Sequence, residues 1–284
     1  MPERIDADIE ALLRFYAYAG YSDALDEAAH DRFVESAQRT APRAVVSPEV
    51  KASAAAVASA PAPIPSPYAA APSAPPAQPT IPAEAQAARA RELARTAATL
   101  DDLRALLDSF DGCNLKFTAK QMVFADGNPQ APIMFIGEAP GRDEDLEGRP
   151  FVGRSGQLLD RMLQAIGLDR ETAYIANVIP WRPPGNRDPS PLETEICRPF
   201  IERQIELAAP KVVVTLGNPS AKVILHAKEG IMRLRGTWKM HQTASGLEIP
   251  TMPTLHPAYL LRNPAHKKLA WRDFLEVKAR LKAS

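Results

Sequence analysis

An α/β fold with a parallel central sheet is predicted by two features of the sequence. Short apolar runs alternate with amphipathic stretches along most of the chain, and the runs are continuously apolar rather than alternating in and out. Strands of that kind are buried on both faces, which calls for helices on either side of the sheet.

The first strand candidate is preceded by a long N-terminal region. Ile5, Ile9, Leu12, Leu13 and Tyr16 recur at helical spacing, and after Gly20 a Ser22 cap precedes Leu25 and Phe33, so residues 1–36 read as a small helical hairpin. Residues 37–83 contain "APAPIPSPYAAAPSAPPAQPTIP", too poor in bulky apolar side chains to fold, and are expected to be a semi-extended, disordered linker. The hairpin is then a tethered module, either a docking element for a protein partner or a dispensable extension.

Residues 84–284 carry the folded domain. "AARARELARTAATLDDLRALLDSF" presents Leu103, Leu106, Leu107 and Phe110 on one helical face. Strands follow at "PIMFIG" (132–137), "AYIANVI" (173–179), "KVVVTLG" from Lys211, and "PTMPTL" (250–255). Helices are expected near 155–167, 190–209, 218–227 and 268–282. "RGTWKMHQTASGLEIP" resembles a hairpin leading into the last central strand.

Composition sets limits on function. The 284 residues carry 34 basic and 34 acidic side chains, so no global field attracts a polyanion, and a nucleic-acid site has to be a local basic patch. Such a patch exists from Arg262 onward, where Lys267, Lys268, Arg272, Lys278, Arg280 and Lys282 outnumber Asp273 and Glu276. Two cysteines suggest a reducing, cytoplasmic compartment. No apolar run reaches the ~18 residues of a membrane span, and the acidic start "MPERIDADIEALLRF" is unlike a signal peptide.

Ligands of parallel sheets bind at the carboxyl ends of the strands. After the first strand, "GEAPGRDED" holds Glu138, Asp143, Glu144 and Asp145 between glycines. Carboxylates are wrong for a phosphate cradle, which wants Gly with Lys or Ser/Thr. They suit water activation, a developing cation, a metal, or simply a solvated acidic turn. Asn177 follows the second strand and either reads a nucleobase edge or caps its own loop. Arg182, Asn186 and Arg187 then lie among prolines as phosphate contacts or ordinary surface charge.

His256 follows the last strand, either structural or placed to stabilise a developing anion. Leu260 and Leu261 beside Arg262 suit a wedge into a base stack, and equally a helix core. Phe151, in "RPFVGRSG", is either a stacking surface or a core residue.

Taken in order, "GEAPGRDEDLEGRPFVGRSGQLLD", "YIANVIPWRPPGNRDPSPLE", "CRPFIERQIELAAPKVVVTLG" and "LHPAYLLRNP" closely resemble the family 4 (type 4) uracil-DNA glycosylases, over about residues 108–284. The resemblance implies a three-layer α/β/α fold with a central four-stranded, mainly parallel sheet. It also implies a monomeric, monofunctional enzyme of base-excision repair whose partner is uracil-containing DNA. Uracil would be flipped into a pocket, bound by Gly137, stacked on Phe151 and read by Asn177. His256 would stabilise the departing anion, and Glu138 or Glu144, with Asp145 behind them, would act on the sugar cation or the water. Arg182, Asn186, Arg187, Leu260, Leu261 and Arg262 would hold the DNA.

One departure from the family is plain. Its members typically carry a 4Fe-4S cluster on four cysteines; here Cys113 and Cys197 match two of them, whereas Phe110 and Trp181 stand in place of the others. Two thiols cannot form a four-thiolate site, so the expectation is no metal and no cofactor, with apolar packing in the cluster's place. A related branch captures uracil-DNA covalently through a His in a basic insertion; no His lies between Asn177 and Cys197, which favours turnover. The rival readings are an inactive DNA-binding scaffold on the same fold and a glycosylase of wider range that takes hypoxanthine, xanthine or thymine opposite guanine.

Overall fold

The computed structural model describes residues 83–283. The hairpin expected at 1–36 and the linker expected at 37–83 lie outside the described residues, except Ala83, which begins the first helix. The order of elements is α1 (Ala83–Thr96), α2 (Leu100–Ser109), α3 (Leu115–Thr118), β1 (Ala125–Gly127), β2 (Ile133–Gly137), α4 (Arg142–Glu147), α5 (Arg154–Ala165) and β3 (Tyr174–Asn177). These are followed by α6 (Pro191–Ala208), β4 (Val212–Leu216), α7 (Asn218–Leu225), α8 (Ile231–Leu234), β5 (Lys239–Gln242), β6 (Glu248–Thr254), α9 (Pro257–Arg262) and α10 (Lys267–Ala283).

The sheet runs β1-β3-β2-β4-β6-β5. Its four inner strands are parallel, as the continuous apolar runs require, and the short strands β1 and β5 flank them antiparallel. The sheet is therefore six-stranded rather than four-stranded. β5 belongs to the anticipated hairpin, whereas β1 is three residues long and carries no apolar run to betray it.

Successive strand side chains point to opposite faces, and β2 divides accordingly. Met134 and Ile136 pack with Tyr174, Ala176, Val213 and the helices α1, α2, α6 and α7. Ile133 and Phe135 pack with Ile175, Val214 and Met252 against α5 and α10, where Phe135 stacks on Phe274 at 6.0 Å. Three layers result.

The segment read as one long helix is broken at residues 97–99. Thr99 accepts the Asp102 backbone N–H, and the Asp102 carboxylate accepts that of Thr99, a reciprocal cap that starts α2 afresh. The Ala97 carbonyl accepts from Arg203 of α6, which ties the break to the neighbouring helix.

Asp273 anchors the strand that leads to His256. Buried in α10, it accepts from Thr254 at 2.6 Å and from Arg235 Nε at 3.1 Å, so the end of β6 is fixed by charge-assisted bonds.

Candidate active site

The carboxyl ends of β2, β3 and β6 open onto a cavity of about 300 Å³ lined by Glu138, Phe151, Asn177, Asp188, His256 and Arg262, among others. Gly137 and Asn177 are register partners at the ends of β2 and β3. The pairing continues through the Ile179 N–H to the Glu138 carbonyl at 2.9 Å, so the acid and the amide emerge side by side. Gly137 is a close-approach glycine: a Cβ there would lie 2.3 Å from Asn177 Oδ1 and 2.6 Å from Phe151 Cζ. Its contribution is room for the two side chains.

Phe151 is buried, with its backbone in the left-handed region at φ 55°. For a bulky residue this costs on the order of 1–3 kcal/mol and persists only where the surroundings enforce it. Its ring stacks on His256, with centroids 5.6 Å apart and planes 30° from parallel.

His256 caps α9 with its side chain. Its Nδ1 accepts the Ala258 N–H at 3.1 Å, which assigns the proton of the neutral ring to Nε2. Burial, reinforced by Arg262, pushes its pKa down to about 4. The imidazole is therefore neutral at pH 7 and has one N–H to donate.

The acids of the first loop separate by environment. Glu138 lines the cavity, and its pKa is pushed up to about 7, first by burial and then by the Asp188 carboxylate. Glu144 also lines the cavity, but its oxygens accept three backbone N–H groups, from Gly141, Val152 and Gly153, each at 3.0 Å. It bridges the starts of α4 and α5. Asp145 is set apart from the cavity: it accepts the N–H groups of Lys120 at 2.8 Å and Gln121 at 3.4 Å, and lies 3.8 Å from Arg182.

The second loop is paired within itself. Arg187 forms a bidentate pair with Glu193 at 2.7 and 2.9 Å, which holds the Glu193 carboxyl down at about 2. Arg182 Nε donates to Asn186 Oδ1 at 2.7 Å. Asn186 and Arg187 line the cavity; as phosphate contacts, Arg182, Asn186 and Arg187 would first have to exchange partners. Asp188, which lines the cavity and faces Glu138, carries no sequence signal beyond its place after "NR" and was missed. Ser155 was missed for the same reason.

Leu260 and Leu261 have opposite fates. Leu260 is 1% exposed and packs with Leu158, Leu255 and Ala270, so the expected wedge reduces to Leu261, which is 37% exposed beside Arg262.

The four positions that correspond to cluster ligands do not fit a four-thiolate group. Cys113 and Cys197 are buried with their sulfurs 3.9 Å apart, and the hydrogen bond between them together with burial pushes the Cys197 thiol up. Phe110 and Trp181 are 1% and 2% exposed in the same core, with Phe110 packed against Phe200 at 5.2 Å. Among the described residues, no group of three or more His, Cys, Asp or Glu side chains is placed to hold a metal.

Residues 124–275 match the Uracil DNA glycosylase superfamily. The chain is similar to the type-4 uracil-DNA glycosylase of Sulfurisphaera tokodaii, 41% identical over 189 residues that make up 63% of this chain and 84% of that protein. It is 43% identical to the type-4 enzyme of Saccharolobus solfataricus over 60% of this chain and 80% of that protein. To the type-4 enzyme of Archaeoglobus fulgidus it is 41% identical over 63% of this chain and 92% of that protein. The match to the superfamily and the identity over most of each relative, on top of the shared order of strand-end loops, mean that the chain belongs to the type-4 uracil-DNA glycosylases.

Proposed function

We propose that this protein hydrolyses the N-glycosidic bond of uracil in DNA, leaving an abasic site for base-excision repair. The observation that carries this reading is His256, a half-buried neutral imidazole whose Nδ1 is already engaged by Ala258 and whose ring lies against Phe151. A neutral N–H donor in a cavity shared with an amide and a carboxylate suits a leaving group that departs as an anion.

In this mechanism the flipped uracil rests on Phe151 and pairs its polar edge with Asn177. Cytosine offers a donor where uracil offers O4, so a fixed amide rejects it by leaving a buried group unpaired. The bond between C1′ and N1 breaks with its electron pair moving onto uracil, and His256 Nε2–H donates to O2 as charge gathers there. The sugar cation takes the oxygen of a water whose proton passes to Glu138. Glu138 is favoured over Glu144 for this step because the three backbone hydrogen bonds of Glu144 leave it a brace. Leu261 and Arg262 would fill and brace the vacated stack.

The same reading holds that the chain works without an iron-sulfur cluster, with Phe110, Trp181 and Phe200 packed where one would bind, and that it acts as a cytoplasmic monomer. Residues 1–36 are read as a tethered helical module with its own partner. Among the described residues no helix is long and apolar enough to cross a membrane.

The test is multiple-turnover cleavage of an oligonucleotide with a single uracil, read after alkali, alongside the visible spectrum of the purified protein. Turnover with a colourless protein is expected. Uracil-dependent binding without cleavage would point instead to an inactive DNA-binding protein, and brown protein would contradict the loss of the cluster.

A further inference from the structure

Arg170 lies in the turn between α5 and β3, does not line the cavity, and makes more directed bonds than any group that does. Its Nη2 donates to the Phe151 carbonyl and its Nη1 to the Pro150 carbonyl at 3.1 Å. Its Nε donates to Asp160 of α5 at 2.8 Å, and Nη1 also pairs with Asp126 of β1. One planar fork thus joins the edge strand, the helix and two consecutive carbonyls of the loop that bears Phe151.

Those two carbonyls flank the bulkiest of the left-handed residues in the cavity wall; the other, Asn186, is of a type that tolerates that conformation. Phe151 holds φ 55°, and its carbonyl is turned so far toward α5 that a Cβ on Gly156 would lie 1.6 Å from the oxygen. A left-handed bulky residue relaxes unless its neighbours over-determine it. The glycine makes room for the turned carbonyl, and the guanidinium supplies the attraction that keeps it turned.

We propose that Arg170 is a positioning residue for the glycosylase reaction, which holds Phe151 in its left-handed conformation and so fixes both the stacking floor for the base and the ring that lies against His256. This rests on the uracil reading for its rate consequences only. The fork matters as well as the charge: a lysine offers three donors from one point and cannot bridge two carbonyls and two carboxylates in one plane.

The experiment is a double-mutant cycle with one measurement independent of activity. Arg170→Met is expected to lower the single-turnover cleavage rate roughly 10- to 100-fold, as small misplacements of reacting groups do. Affinity for the same duplex without uracil should stay within about twofold, because the DNA-facing charges are untouched. Arg170→Lys should fall with Met rather than rescue. In a Phe151→Gly background, where ring and strain are both gone, Arg170→Met should cost less than about twofold more. An equal loss in both backgrounds, or full rescue by lysine, overturns the proposal.

The independent measurement is the proton NMR shift of the His256 ring, assigned by its disappearance in His256→Gln. Stacking on Phe151 displaces that resonance upfield, and Arg170→Met should return it toward the value in Phe151→Gly. An unmoved resonance would sink the idea even if the rate fell. Should the wild-type protein cleave no uracil-DNA, the functional reading fails while the ring shift still decides the role of Arg170.

Discussion

Phe151 and His256 meet ring to ring across the cavity, the first on the loop before α5 and the second at the start of α9. The loop before α5 and the start of α9, two helices already packed together through Leu158 and Leu260, are therefore coupled within the cavity. Replacing Phe151 by Leu keeps apolar bulk but removes the flat face, worth ~1–3 kcal/mol per stacked base. A 5- to 100-fold loss of single-turnover cleavage is expected, roughly in line with that range, with little change in thermal stability.

In the proposed reaction Glu138 governs the pH dependence. Its pKa of about 7 means that the ionised form needed to take a proton from water grows in through neutrality, so cleavage should rise between about pH 6 and 8 and level off above. Glu138→Gln should flatten that limb and reduce the plateau by roughly 10²- to 10⁴-fold.

The same shift has a stability consequence of opposite sense. A carboxyl whose folded-state pKa is raised binds its proton more tightly when folded than when unfolded, so stability falls as pH rises from about 4.5, its ordinary value, through about 7. Glu138→Gln should therefore raise the melting temperature at pH 8 and leave it nearly unchanged at pH 4.5. Equal shifts at both pH values would contradict the burial that raises it.

Glu144 should behave in the reverse way. Removing a carboxylate that accepts three backbone N–H groups, as in Glu144→Ala, should cost roughly 2–3 kcal/mol of stability. Denaturant melts would register it, and any activity lost should follow the loosening of the loops rather than a change in the pH profile.

Leu260 and Leu261 provide a matched pair. Leu260→Ala empties part of a packed core and should cost about 2–5 kcal/mol. Leu261→Ala should leave stability within about 0.5 kcal/mol and weaken retention of DNA containing a flipped base. Melting curves and band shifts on abasic DNA separate the two.

The parallel strands were legible because each is apolar throughout, and the strand ends told where to look; Glu138, Asn177, Phe151 and His256 do converge. β1 was not legible, since three residues give no periodicity. Nor could the sequence tell that Glu144 and Asp145 spend their oxygens on backbone N–H groups, or that Arg187 is matched to Glu193, because hydrogen-bond partners depend on how loops meet in space. Adjacent leucines were separated by helix rotation: 100° between neighbours is enough to send one to the core and leave the next exposed. Arg170 lay furthest from view, since an arginine in a turn looks like any other surface charge until the carbonyls it holds are known.

The left-handed backbone at Phe151 also bears on how the protein would respond to selection. Glycine would relieve about 1–3 kcal/mol of backbone strain there, yet emptying the buried ring costs about 3–5 kcal/mol, so a screen for heat resistance would keep the aromatic ring despite its unfavourable backbone. Libraries built to stabilise this chain should hold position 151 constant.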